Sequence, residues 1–216
     1  MFTPVELLPQ HPTYPTALIE HWAQSDLPVL QAIGNLELLQ QPAIALFCSV
    51  KCPGDLILKT YDLAQALRDA QVPVISGFHS PMEKECLRLL LRGPQPIIHC
   101  PARSLHTMRF AKDHKAAIAA NQLLLLSPFA ANQKRATTAL ADKRNQLVGA
   151  IAKAVFIAYA APAGKTAAFA QYLAQQGKPL FTFDSPDTDN LQSLSATTLT
   201  LDTAASVLHS FLSTHQ

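Results

Sequence analysis

From Ala43 onward, short apolar runs alternate with longer segments of helical period, and this alternation limits the fold more than any other feature of the chain. The runs are AIALFCS (Ala43–Ser49), VPVIS (Val72–Ser76), PIIHC (Pro96–Cys100), QLLLLS (Gln122–Ser127), AVFIAY (Ala154–Tyr159) and PLFTF (Pro179–Phe183). They are continuous rather than alternating, as strands covered on both faces are. Between the first two, LILKTYDLAQALRDA sets Leu56, Tyr61, Leu63, Ala64 and Leu67 on one side of a helix, with Lys59, Asp62, Arg68 and Asp69 largely on the other. EKECLRLLLR, FAKDHKAAIAA, ALADKRNQLVGAIAKA and KTAAFAQYLAQQG behave likewise, and the last ends at Gly177, where a left-handed cap is expected. The pattern predicts an α/β fold: a Rossmann-like open, mostly parallel sheet of about six strands with helices on both faces.

Three segments follow from this pattern. Residues 1–42 read as a lead of helix, extended piece and turn, with Pro15 suited to a helix start and Pro28 to a break. Residues 43–184 carry the sheet, and residues 185–216 a turn-rich stretch and a final amphipathic helix packed on the same domain. Length alone permits a core that removes about 70% of the unfolded surface from water. With 15% charged residues and a net charge of +2, the chain has no global attraction for a polyanion, so any basic site must be local. The start lacks the pattern of a signal peptide, and no apolar stretch reaches membrane-spanning length, so a cytoplasmic protein without a membrane partner is expected. Cys48, Cys52, Cys86 and Cys100 are expected to be free thiols.

In an open parallel sheet, ligands bind beyond the carboxyl ends of the strands. The loop after Tyr159 holds Gly164-Lys165-Thr166 at a helix start, where free amides and the helix dipole favour phosphate. It lacks the first glycine of a Walker A loop, since Tyr159 stands there. The turn after the first run lacks GxGxxG, because Cys48 and Val50 occupy positions where a dinucleotide site needs glycine. Ser49, Lys51, Ser76 and Gly77 are the residues there that can meet a phosphate or a base. Arg144 and Asn145 head another helical stretch: Arg144 offers a planar fork for phosphate, Asn145 a donor and acceptor for a base or backbone. No metal site is expected, since Cys48-x-x-x-Cys52 and His99-Cys100 are accompanied by neither a second close cysteine pair nor HExxH. Nor is any catalytic residue assigned: His79 and Glu83 could form a base and its orienter, but no nucleophile accompanies them and GxSxG is absent.

Taken together and in order, these motifs resemble the bacterial DNA-processing DprA (Smf) family. The similarity is collinear from about residue 10 to residue 184. The family's lead matches TYPTALIEHW, LPVLQAIGNLELL and QQPAIALFCS; its SGxAxGID loop matches Ser76 to Glu83; its RNRIIAGLS helix matches Arg144 to Ala152; its next strand and loop match AVFIAYAAPAGKTAA. The departures are specific. The GSR turn has become Cys48-Ser49-Val50, leaving Lys51 as its only substitute cation, while Glu83, Leu87, Gln146 and Tyr159 replace family residues elsewhere. The resemblance implies a nonenzymatic protein without cofactor that binds single-stranded DNA in a basic pocket, self-associates as a dimer and helps to load a recombinase. It also implies that the family's C-terminal winged-helix-like module is missing. Fewer cations imply weaker phosphate binding. The rival expectations are a small-nucleotide sensor or nucleotide-cleaving enzyme of the same superfamily, and a degenerate scaffold that has lost its ligand.

Overall fold

The computed structural model describes residues 2–106 and 108–214, without the side chain of His21. Its strands are β1 (Val5–Leu7), β2 (Leu30–Gly34), β3 (Ile44–Phe47), β4 (Val74–Ser76), β5 (Ile97–His99), β6 (Leu123–Ser127), β7 (Ala154–Ile157), β8 (Leu180–Phe183) and β9 (Thr197–Leu199). The helices are α1 (Thr16–His21), α2 (Gly54–Asp69), α3 (Pro81–Leu90), α4 (Lys112–Ala119), α5 (Thr138–Ile151), α6 (Lys165–Gln175), α7 (Asp189–Gln192) and α8 (Leu201–Thr214). All nine strands form one sheet in the order β1-β2-β6-β5-β4-β3-β7-β8-β9. Strands β3 to β9 pair in parallel, whereas β2 is antiparallel to β6 and β1 antiparallel to β2.

The six predicted strands are β3 to β8. Sequence reading missed β1, β2 and β9, so the α/β class holds while the sheet is wider at both edges. The lead segment is therefore an antiparallel extension of the sheet as well as a helix.

Alternation within single strands explains the continuous apolar runs. In β3, Ile44 and Leu46 enter the cluster beneath α2, α3, α4 and α8, while Ala45 and Phe47 enter the one beneath α1, α5 and α6. Both faces are thus dry, and period-two polarity has no place. At the end of α6, Gly177 takes φ +68, with Gly177 N–H bonded to Ala174 O and Lys178 N–H to Leu173 O, both at 3.0 Å. This is a Schellman cap, which turns the chain into β8.

From β3 the chain steps through β4, β5 and β6 in one direction, then returns to β7 on the other side of β3. That reversal opens a crevice beyond the carboxyl end of β3. Among the described residues no helix is long and apolar enough to cross a membrane.

Candidate functional site

A cavity of about 460 Å³ occupies this crevice. Its walls come from the end of β3 and the following turn (Phe47, Cys48, Val50), from the loop before α3 and its first turn (His79, Ser80, Glu83), and from the first two turns of α5 and the start of α6. Thr137 and Thr138 at the start of α5, and Lys165 and Thr166 at the start of α6, face the same space. Two helix N-termini, each with unspent amides and a positive dipole end, therefore converge on it.

Arg144 forms the buried part of the wall. Only 3% of the residue is exposed, yet its guanidinium is held: Nη1 donates to Cys100 O at 2.9 Å and Nε to Asn145 Oδ1 at 2.8 Å. Gly77 makes this possible, since a Cβ there would lie 1.2 Å from Arg144 Nη1 and 1.8 Å from Cζ. Burial lowers the Arg144 pKa, opposed by Glu83 and Cys100, but an arginine starts high enough to keep its charge.

Glu83 joins two loops. Its Oε1 accepts Cys48 N–H at 3.1 Å, and its Oε2 accepts His79 N–H at 2.8 Å and Ser80 N–H at 3.1 Å. Ser80 Oγ in turn accepts Glu83 N–H at 3.2 Å, completing a capping box on α3. The carboxylate thus holds the cavity's loops through three backbone amides, a positioning role that leaves it poorly placed to act as a base. Between these anchors Phe78 takes φ +44, a left-handed conformation that a bulky residue adopts only under constraint. Its buried ring meets the His99 ring edge-on at 5.5 Å. Burial, then His114 and Arg144, push the His99 pKa down to about 3, against a ring N–H bond to the Gly77 backbone.

The sequence-predicted residues divide into groups. Arg144, Asn145, Lys165 and Thr166 line the cavity together, and Gly164 is the N-cap of α6 immediately beside it. Lys165 Nζ lies 3.7 Å from Asp142 Oδ2, an exposed pair. Gly77 is buried under Arg144 and shapes the floor. Ser49 and Ser76 are committed internally: Ser49 Oγ accepts Ala161 N–H at 2.9 Å, and Ser76 Oγ donates to Leu46 O at 2.6 Å while accepting Phe78 N–H at 3.4 Å. Lys51 is exposed and does not line the cavity. The crevice is open beside Val50, which is 71% exposed, and Phe78 is folded into the core beneath it. Sequence reading missed the lining residues Thr137, Thr138, Ser80 and Asp142. The S-x-x-E spacing of Ser80 and Glu83 was the available signal for the loop anchor. Among the described residues no group of three or more His, Cys, Asp or Glu could hold a metal ion.

The fold occurs in known proteins. DNA processing protein A (DprA) from Streptococcus pneumoniae has the same fold, with a TM-score of 0.76 and 20% identity over 94% of this chain and 74% of that one. DNA processing protein A from Helicobacter pylori, whose structure was described for its unique single-stranded DNA binding mode, gives 0.74 and 20% over 96% and 95%. The molybdenum cofactor carrier protein of Chlamydomonas reinhardtii is more distant, at 0.56 and 13% over 80% and 99%. At these identities the likeness is one of fold. No curated protein matches the sequence. The model of one family, DNA recombination-mediator protein A, matches residues 6–213. With nearly its whole length so matched, the chain belongs to the DNA recombination-mediator protein A family.

Proposed function

We propose that the cavity beyond β3 binds the backbone of single-stranded DNA and that the protein acts without catalysis in DNA processing. The observation that carries this reading is the convergence of two helix N-termini, Lys165 and the buried Arg144 charge on one hollow at the sheet's reversal point. Phosphate meets Lys165, Thr166 and the amides following Gly164, with Asn145 alongside. Arg144 acts from beneath, as a fixed positive charge whose fork is already oriented. Ser49, Ser76 and Gly77 shape the floor rather than touch the ligand, and Lys51 on the outer turn reaches only a strand that continues past the rim. Self-association as a homodimer, delivery of the strand to a recombinase during DNA uptake, and a cytoplasmic location complete the reading by membership of the family.

Fluorescence anisotropy of a labelled (dT)20 at two salt concentrations tests it. Each phosphate neutralised on a single strand contributes about −0.7 to the slope of log affinity against log salt. Lys165→Ala should weaken binding and reduce the slope by about that amount, while Lys112→Ala on α4 serves as a control. Absence of salt-dependent binding at micromolar protein rejects the proposal. The cavity's volume lies within the range of small-ligand sites, so capture of a mononucleotide with rejection of oligomers would replace it with the nucleotide-sensor reading.

A further inference from the structure

The turn after β3 carries a pair of thiols that the DNA-binding reading leaves unused. Cys48 ends the strand, 5% exposed and on the cavity wall. Four residues later, half-buried Cys52 packs against the same apolar cluster that holds Cys48, and the two thiols act on each other's ionisation. The turn between them is tied down. Cys48 N–H is held by Glu83 Oε1, Ser49 N–H by Tyr159 O at 3.0 Å, and Ser49 Oγ by Ala161 N–H. Beyond Cys52, α2 begins at Gly54 with Pro53 as its N-cap, so Cys52 sits just ahead of the positive end of a long helix.

The sulfurs differ in character. Donation from the Cys48 thiol lowers the Cys52 pKa, opposed by partial burial and by Asp55 and Asp187. The same contact, with burial, raises the Cys48 pKa. Cys52 is the more accessible and the more readily ionised, and Cys48 is its shielded neighbour, which is the arrangement of an attacking and a resolving thiol. Cys86 and Cys100 are fully buried and differently placed: Cys86 Sγ points to Met82 Sδ at 3.4 Å, and burial raises the Cys100 pKa to about 12.

We propose that Cys48 and Cys52 form an oxidisable dithiol, closed by peroxide into an intramolecular disulfide across the turn that walls the cavity. The Cys52 thiolate attacks hydrogen peroxide, forming an S–O bond as the O–O bond breaks, and the released hydroxide takes a proton to become water. Cys48 sulfur then attacks Cys52 sulfur: the S–S bond forms, the S–O bond breaks, and the departing hydroxide leaves as a second water with the Cys48 proton. Two thiols are oxidised by two electrons and one peroxide is reduced. Only three residues separate the two cysteines, and closure requires them to bring their Cβ atoms to about 4 Å.

The sequence makes the test direct. No lysine or arginine precedes Lys51, so trypsin separates residues 1–51, carrying Cys48, from residues 52–59, carrying Cys52. After peroxide treatment of the folded protein and alkylation in denaturant, these peptides should travel together without reductant and separate with it. Free thiols should fall from four to two. Cys48→Ser should leave a sulfenic acid on Cys52 that dimedone traps, and Cys52→Ser should leave all remaining thiols reduced. The proposal is overturned if the wild-type peptides stay unlinked under peroxide that fully oxidises glutathione. It fails equally if the link joins two molecules or involves Cys86 or Cys100. None of these readouts depends on DNA, so the result is independent of the proposed function.

Discussion

Substitution of Gly77 by alanine attacks the point on which the cavity floor depends. The added Cβ would sit 1.2 Å from Arg144 Nη1, 1.8 Å from Cζ and 2.5 Å from Nη2. No contact below about 3.4 Å is ordinary, so the guanidinium has to move by about 2 Å, which breaks the 2.9 Å bond to Cys100 O and disturbs the 2.8 Å bond to Asn145. A hydrogen bond to a charged group contributes about 1.5–3 kcal/mol, and Cys100 O is left without this partner in a buried setting. Gly77 is not at a positive φ, so the backbone accepts alanine and even gains a few tenths of a kcal/mol through the unfolded chain. Gly77→Ala alone should therefore cost about 2 kcal/mol, whereas in an Arg144→Ala background the slot is empty and the same change should cost under about 0.5 kcal/mol. Urea unfolding of the four proteins of this cycle, followed by circular dichroism and by the single tryptophan Trp22, gives a coupling near 2 kcal/mol if Arg144 is seated as described. Additive costs would show that the guanidinium does not occupy the space above Gly77, and the account of the floor would be wrong.

Four further outcomes follow from the same geometry. Glu83→Ala strips three backbone amides of their acceptor and should destabilise by about 2–4 kcal/mol, against about 1 kcal/mol for Ser80→Ala, which removes only the cap; equal losses in a denaturant titration would contradict the anchoring role. His99 is held neutral in the fold, with its pKa at about 3 against 6.5 in the unfolded chain. Below pH 6.5 the unfolded chain takes up the proton first, so this contribution is complete above that pH and is lost towards pH 3, by up to about 1.4 kcal/mol per unit. The fall in stability between pH 7 and 5 should be shallower in His99→Leu, and an unchanged slope counts against a neutral, partly buried imidazole. Lys178 Nζ bonds Ala150 O at 3.3 Å and Ala152 O at 2.7 Å at the end of α5, so Lys178→Met should cost about 1–2 kcal/mol by thermal or urea unfolding; no change would mean that solvent replaces these bonds freely. Asp142→Asn removes the carboxylate beside Lys165, so (dT)20 should bind about two- to fivefold tighter at low salt, and weaker binding would place the strand elsewhere.

What was legible in the sequence was what a periodic pattern can encode. β3 to β8 announce themselves because both faces of each are buried and the run has nothing to alternate with. β2 hides because Gln31 interrupts its apolar residues, although it is only 6% exposed and its Nε2 donates to Glu6 Oε1 at 3.0 Å on the neighbouring strand. β1 and β9 each expose two of their three residues, so neither shows a continuous apolar run, and they stand as strands because a neighbour supplies the ladder.

The site divides along a related line. Lys165 and Thr166 could be found from the chain because a helix start is a local event, and its amides are free by construction. The fates of Ser49 and Ser76 could not, since their partners lie 112 and 30 residues away and exist only once the strands are aligned. Arg144 shows the limit most clearly. As a residue type it reads as a phosphate fork, yet Cys100 O and Asn145 engage that fork before any ligand arrives, and its burial depends on a glycine in another loop. Local chemistry states which charges are available. Long-range hydrogen bonds decide which remain mobile contacts and which become part of the wall, so this cavity, short of cations by composition, relies on a few charges held in place and on two helix ends that need no side-chain charge.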